Sequence, residues 1–191
     1  MRGGKLPIIG SHRLANRAMT AHGKNILFQH ASAAELAGGA VLFTGNSGAG
    51  KTTVMRLIAQ TGRRVFGDEL AVCTREADGS WLLAAMGSTR DGELERATNH
   101  VPRPVALIVH LRRHLDIGFA IHPCPPMESV VLGYQSIMAT GQHDPAVRAS
   151  RFRTFSDFAR SVPSVILDFS LNADFLPALE KRVAGGQDHG N

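Results

Sequence analysis

The run Gly45-Asn46-Ser47-Gly48-Ala49-Gly50-Lys51-Thr52 satisfies G-x-x-x-x-G-K-[ST] at every fixed position, and each residue type in it serves one part of holding a polyphosphate. The glycines let the backbone bend around phosphate oxygens with its N–H groups turned inward. Lys51 supplies a movable cation for the β- and γ-phosphates, and the Thr52 hydroxyl can ligate Mg²⁺. With Thr53 these residues form the expected nucleotide contact. Transferring a phosphoryl group also requires a metal held across the phosphates and a base or positioner for the acceptor. Asp68-Glu69 is the leading candidate for both tasks: one carboxylate would hold Mg²⁺, directly or through water, while the other takes the proton of an acceptor hydroxyl.

The flanking segments decide whether these residues can meet. Ala40-Val41-Leu42-Phe43-Thr44 is an apolar run suited to a buried strand, and Val54, Leu57 and Ile58 follow the loop at helical spacing. Gly62 is placed to end that helix in the left-handed conformation. A helix beginning at Gly50-Lys51 turns its free N–H groups and positive dipole end towards a bound anion. A glycine-rich turn without a ligand would share the letters of the motif but has no need of these flanks. Asp68 lies 17 residues beyond Lys51, room for one helix, a turn and a returning strand. If that strand runs as the parallel neighbour of the one feeding the loop, its end comes back beside the phosphates.

Upstream, Asn25–Gln29 and His30–Leu36 read as strands, and Gly38-Gly39 signals a hairpin into the loop strand. Downstream, Arg64–Gly67, Leu70–Thr74, Trp81–Ala85 after the Asp78-Gly79 turn, Val105–Leu111 and Ser164–Phe169 read as strands. The segment Asp116–His122 is expected to pair beside Val105–Leu111. Pro126 opens a helix running towards Thr140. Phe152, Phe155 and Phe158 mark a core-facing stripe on a later helix, and Phe175–Val183 forms a closing helix. The expected architecture is α/β: a mixed sheet around the phosphate loop, an antiparallel hairpin before it, and helices mainly in the C-terminal part. The whole of 1–191 reads as one nucleotide-binding unit with flexible ends at 1–20 and 184–191.

Composition narrows the function classes. Hydrophobic residues make up 43% of the 191 residues, an ordinary fraction for a globular chain. No apolar stretch approaches the roughly 18 residues of a membrane span, and the N-terminus lacks a signal-peptide core, so a cytoplasmic protein without membrane contact is expected. Two cysteines, Cys73 and Cys124, cannot build a disulfide framework and read as buried thiols. The net charge of +5 comes from scattered basic residues with one Trp and one Tyr, which argues against nucleic acid and suits ATP or an acidic acceptor. His110 and His114 fall where a strand is expected, a poor setting for an i, i+4 zinc pair.

Taken together, the hairpin with His30, the loop from Gly45 to Thr53, the helix closed by Thr61-Gly62 and the segment Arg64-Val65-Phe66-Gly67-Asp68-Glu69-Leu70 resemble the catalytic domain of HPr kinase/phosphorylase. That superfamily also contains the phosphoenolpyruvate carboxykinases and small HPr-kinase-related proteins. The resemblance spans Phe28 to Leu70 and continues more weakly to Leu111. It implies Mg²⁺-ATP as the bound nucleotide and phosphorylation of a serine or similar hydroxyl on a peptide, small protein or metabolite. It places Lys51 and Thr52 at the phosphates and metal, Asp68 as catalytic base, Glu69 as the second acid with a metal role, and His30 near the phosphates. Glu69 stands where the family has Asp, which lengthens the reach of that carboxylate. The segment Gly92-Glu93-Leu94-Glu95-Arg96 resembles a family Glu/Arg segment and adds Glu95 and Arg96 as catalytic candidates, with Asn99, Arg103 or Arg90 as substitutes. A homo-oligomer is also implied. The competing reading is a regulatory or scaffold module that binds nucleotide without transferring phosphate. A transport or motor ATPase lacks support because no LSGGQ-like run, second acidic strand or arginine finger stands out.

Overall fold

The computed structural model describes residues 26–87, 102–113, 118–134 and 145–187. Within them the chain runs β1 (Ile26–Gln29), β2 (Ser32–Leu36), β3 (Gly39–Thr44), α1 (Lys51–Gln60), β4 (Val65–Gly67), β5 (Leu70–Arg75) and β6 (Trp81–Gly87). It continues through β7 (Arg103–Arg113), β8 (Phe119–Pro123), α2 (Pro126–Tyr134), α3 (Pro145–Ser161), β9 (Ser164–Phe169) and α4 (Leu176–Gln187). The architecture is a mixed α/β sheet, as the apolar runs and turn signals imply.

Strand β7 organises the sheet. One edge pairs parallel with β3; the other pairs antiparallel with β6 near its start and parallel with β9 near its end. The remaining pairings, β1 with β5, β5 with β6, β2 with β3, β2 with β4 and β8 with β9, are antiparallel. Around the phosphate loop the order is therefore β8-β9-β7-β3-β2-β4. The expected hairpin is present: Leu36 faces Gly39 across a two-residue turn in which Ala37 and Gly38 both have positive φ, 47° and 83°, the hand that matches strand twist.

All six residues of β3 are buried, because helices cover the sheet on both sides. Val41 and Phe43 pack with Val54, Met55 and Ile58 of α1 and Leu176, Leu179 and Val183 of α4. Leu42, from the alternate face, joins Val130 of α2, Phe155 and Phe158 of α3, and Val162 just beyond it. Strand periodicity thus splits one apolar run between two cores.

Several expectations give way to tertiary geometry. Strand β4 does not neighbour β3: it pairs antiparallel with β2, so it runs in the direction of β3 with β2 between them. The end of β4 still returns to the edge of the sheet that carries the loop. Strand β8 pairs with β9 rather than β7, because both edges of β7 are already taken. Phe155 and Phe158 are fully buried, but Phe152 is exposed and meets the Tyr134 ring edge-on at 5.3 Å. Three residues spaced by three drift around a helix with 3.6 residues per turn, so the stripe cannot stay on one face. Helix α4 continues to Gln187, past the expected flexible boundary at 184. The far part of the helix expected to reach Thr140, and the expected flexible N-terminus, lie outside the described residues.

The α2–α3 contact is tight at one point. A Cβ on Gly133 would sit 2.3 Å from Cζ of the buried Phe155 ring. Replacing a helical glycine with alanine ordinarily stabilises by up to about 1 kcal/mol, and less near a helix end such as Gly133. Here overpacking, which costs about 1–3 kcal/mol, opposes that gain. Gly133→Ala is therefore expected to lower stability in urea melts; a stabilised variant would show that the ring yields freely.

Candidate functional site

The phosphate loop leaves β3 at Gly45 and enters α1 at Lys51. Its conformation demands glycine at two points in particular. Gly45 has φ 154°, and a Cβ there would lie 2.8 Å from Ala49 Cβ and 3.2 Å from the Leu111 carbonyl oxygen. Gly50 caps the helix at φ 97°, with the Phe169 ring 2.8 Å from where its Cβ would be. The Ala49 N–H donates to the Asn46 carbonyl at 3.0 Å, closing the bend, and Val54 N–H to the Gly50 carbonyl at 2.9 Å begins the helix ladder. Asn46, Ser47 and Gly48 form the exposed tip. At its far end α1 stops as expected: Thr61 and Gly62 donate to the Ile58 and Ala59 carbonyls, and Gly62 has φ 76°.

Lys51 is buried, with Nζ donating to the carbonyls of Gly45 at 2.8 Å and Asn46 at 3.3 Å. Burial lowers its pKa, and the negative charge of Asp68 opposes that. Its ammonium therefore sits on the rim of the loop. Thr52, one residue on, is exposed and directs its hydroxyl to Asp68 Oδ2 at 2.6 Å. Thr53 is half-buried, and its hydroxyl has no described role.

Asp68 lies in the turn that follows β4. Its Oδ1 accepts a hydrogen bond from the Ser32 hydroxyl at the start of β2, so both carboxylate oxygens are acceptors. One acid thus ties together the helix N-terminus, the hairpin and the β4 turn. Glu69 adopts φ 103°, a conformation that costs a non-glycine residue about 1–3 kcal/mol and persists only where its surroundings enforce it. Part of that enforcement is visible: the Glu69 carbonyl accepts from the Ala31 N–H at 3.2 Å. His30, half-buried beside this link, feels every charge in the group. Its pKa is lowered first by burial and then by the Lys51 cation. Asp68, Glu69 and a hydrogen bond with the Glu69 backbone pull in the other direction.

The structure therefore gathers Lys51, Thr52, Asp68, Glu69 and His30 at one edge of the sheet, with the loop at its centre. Glu95, Arg96, Asn99 and Arg90 lie outside the described residues. Arg103 is not at this site. It stands at the opposite end of β7, where its Nε donates to Glu35 at 3.1 Å, because β7 runs parallel to β3 and begins far from the loop. Ser32 was missed in the sequence: a lone serine in a run of small residues has no spacing relation to an acid 36 positions later. Cys73 and Cys124 are both buried, and burial raises their pKa, to about 12 for Cys73, which makes them inert thiols.

No protein-family model matches the chain, and no curated protein matches it. Among solved structures it is similar to the Hpr(Ser) kinase/phosphatase from Coxiella burnetii, at 12% identity and a TM-score of 0.40, over 84% of this chain and 95% of that one. Likeness at that level carries no chemistry, which has to come from the side chains themselves.

Beneath the loop lies a buried polar chain. His110 of β7 sits opposite Thr44, the last residue before Gly45. The His110 Nδ1 and Thr44 Oγ1 are 2.9 Å apart, and Nε2 is 2.9 Å from Ser129 Oγ on α2. This chain fastens the root of the phosphate loop to the helix layer on the opposite face from α1. Burial lowers the His110 pKa to about 4 from an ordinary 6.5, so the folded protein keeps the ring neutral while an unfolded chain protonates it. The contribution is complete above about pH 6.5 and is lost as pH falls towards 4, roughly 3 kcal/mol in all. Urea melts at pH 7 and pH 4.5 are expected to show that loss, and His110→Gln to show a smaller pH difference. Equal pH sensitivity in both proteins would remove His110 as the cause.

Proposed function

We propose that this protein binds Mg²⁺-ATP in the Gly45–Thr53 loop and transfers the γ-phosphoryl group to a hydroxyl on a peptide, small protein or metabolite. The observation that carries the reading is the Asp68 carboxylate, held against the loop by the hydroxyls of Thr52 and Ser32. Phosphoryl transfer depends on positioning and charge rather than covalent help from the protein, and the pieces needed for that converge here.

Each residue takes a role suited to its chemistry. Lys51 exchanges its two carbonyl partners for phosphate oxygens, and the inward N–H groups of the loop and the N-terminus of α1 hold the rest of the triphosphate. The Thr52 hydroxyl and the Glu69 carboxylate, in the turn that Asp68 shares, offer hard oxygen donors suited to Mg²⁺, and Asp68, 2.6 Å from Thr52, serves as the base. When bound, the metal would neutralise charge on the β- and γ-phosphates. Asp68 accepts the proton of the acceptor hydroxyl as its oxygen bonds to the γ-phosphorus. The bond from that phosphorus to the β-bridging oxygen breaks, and ADP leaves with the electron pair. His30, whose pKa is lowered by burial and by Lys51, is a half-buried neighbour of these groups. The protein is expected to work as a soluble enzyme in the cytoplasm, and among the described residues no helix is long and apolar enough to cross a membrane.

With γ-labelled ATP and a pool of candidate hydroxyl acceptors, the expected outcome is label transfer by the wild type. Asp68→Asn should reduce that rate by about 10²- to 10⁴-fold while Mg²⁺-ATP still binds. Lys51→Ala should weaken nucleotide binding itself. Tight binding by the wild type with no transfer to any acceptor would favour the regulatory module, and unaltered turnover in Asp68→Asn would remove this acid from the chemistry.

A further inference from the structure

The structure assigns a second anion-binding subsite to the strand ends on the opposite flank of the phosphate loop from Asp68, formed by Arg112 and held by Asp168, which His122 also contacts. Its proposed role, gripping a phosphate or carboxylate carried by the acceptor, rests on the phosphotransfer reading; its existence does not.

Arg112 follows Leu111, whose carbonyl oxygen would lie 3.2 Å from a Cβ on Gly45, and Asp168 precedes Phe169, whose ring underlies Gly50. Arg112 and Asp168 face each other in the parallel β7–β9 register. Both are thus one residue from groups that touch the loop, at the carboxyl ends of β7 and β9, where open α/β sheets place their ligands.

Asp168 is only 6% exposed. Arg112 reaches it through Nε at 2.9 Å and Nη2 at 3.1 Å, and His122 Nε2 lies 3.0 Å from Oδ2. The two nitrogen-bearing side chains are themselves about half open to solvent, 53% and 48%. A carboxylate buried this deeply fixes the guanidinium in one plane by its Nε edge. The Nη1 amino group then has no partner among the described residues. An arginine fork oriented by an acid behind it, with donors still facing water, is pre-organised to take a second oxyanion in a planar, charge-assisted contact. Little further desolvation or side-chain ordering is needed, which is where binding sites commonly lose affinity.

Loop and subsite bracket the strand ends, with the proposed base on one flank and the Arg112 group on the other. A hydroxyl compound or peptide that also bears an acidic group could be fixed at two points, and the net charge of +5 favours such acceptors electrostatically.

The test is a calorimetric titration of orthophosphate, and separately of succinate, into protein saturated with Mg²⁺ and a non-hydrolysable ATP analogue. The expected result is binding to the nucleotide complex, weakened roughly tenfold or more by Arg112→Gln. Arg112→Lys keeps a cation on Asp168 but loses the planar fork, so it guards against a folding artefact; binding several-fold weaker than wild type is expected. The two titrants separate phosphate from carboxylate recognition. Orthophosphate and succinate that bind only by displacing the analogue, that bind all three proteins alike, or that do not bind at all would each overturn the proposal. If the analogue itself fails to bind, the phosphotransfer reading falls. The subsite is then tested by the same titration on Lys51→Ala, with and without Arg112→Gln.

Discussion

A single carboxylate closes the arrangement on which the site depends. Asp68 accepts from Thr52, 16 residues earlier, and from Ser32, 36 residues earlier, so a helix, a hairpin and a strand end are all fastened to one side chain. The loop beside it carries the buried Lys51 ammonium and opens into the N-terminus of α1, an environment that repels cations and rewards a nearby anion. Asp68 provides that charge from the protein itself, and the backbone at Glu69 adopts an unfavourable φ of 103° in the same turn. Local strain at the residue beside the critical acid shows where the fold has been bent to serve geometry rather than stability.

The sheet makes this possible through the division of labour along β7. Its first half joins the β1-β5-β6 antiparallel layer, and its second half lies between β3 and β9 in parallel. Parallel pairing aligns the carboxyl ends of three strands at one edge, and the loop, His110 and Arg112 all occur there. The neutral His110 ring connects Thr44 to Ser129, so the loop root is held laterally as well as by the β3–β7 ladder. A buried polar chain of this kind is stable because each partner is satisfied, and it fixes the loop more rigidly than apolar packing alone would.

What could be read in the sequence was local. The loop, the helix after it, the hairpin before it and the acid at a strand end each have short-range signatures: fixed spacings, an apolar period, a glycine with positive φ. Asp68 could be named because strand, helix and turn lengths constrain where a chain returns. The route of its return could not be read, since β4 has only three residues and a segment that short has no periodicity to distinguish a direct neighbour from one a strand further out. Ser32 and the Arg112–Asp168 pair were hidden for a related reason. Contacts across 36 and 56 positions are created by sheet order, and a lone polar residue in a strand carries no mark of its distant partner.

The two flanks of the loop differ in a way that bears on mechanism. On the β4 side, Lys51, Asp68, Glu69 and His30 share one electrostatic neighbourhood, in which burial and the Lys51 cation lower the His30 pKa against the opposing pull of Asp68 and Glu69. Under the proposed function, a triphosphate would bring several negative charges and draw the Lys51 ammonium away from two neutral carbonyls, a favourable exchange because a charged acceptor binds about twice as strongly as a neutral one. On the β9 side, Asp168 is already satisfied by Arg112 and faces the interior. Its charge is therefore spent on orientation, whereas that of Asp68, near the exposed Thr52, remains accessible to an incoming proton. In the proposed reaction, burial depth thus separates two aspartates of similar hydrogen bonding into one that would position and one that would react.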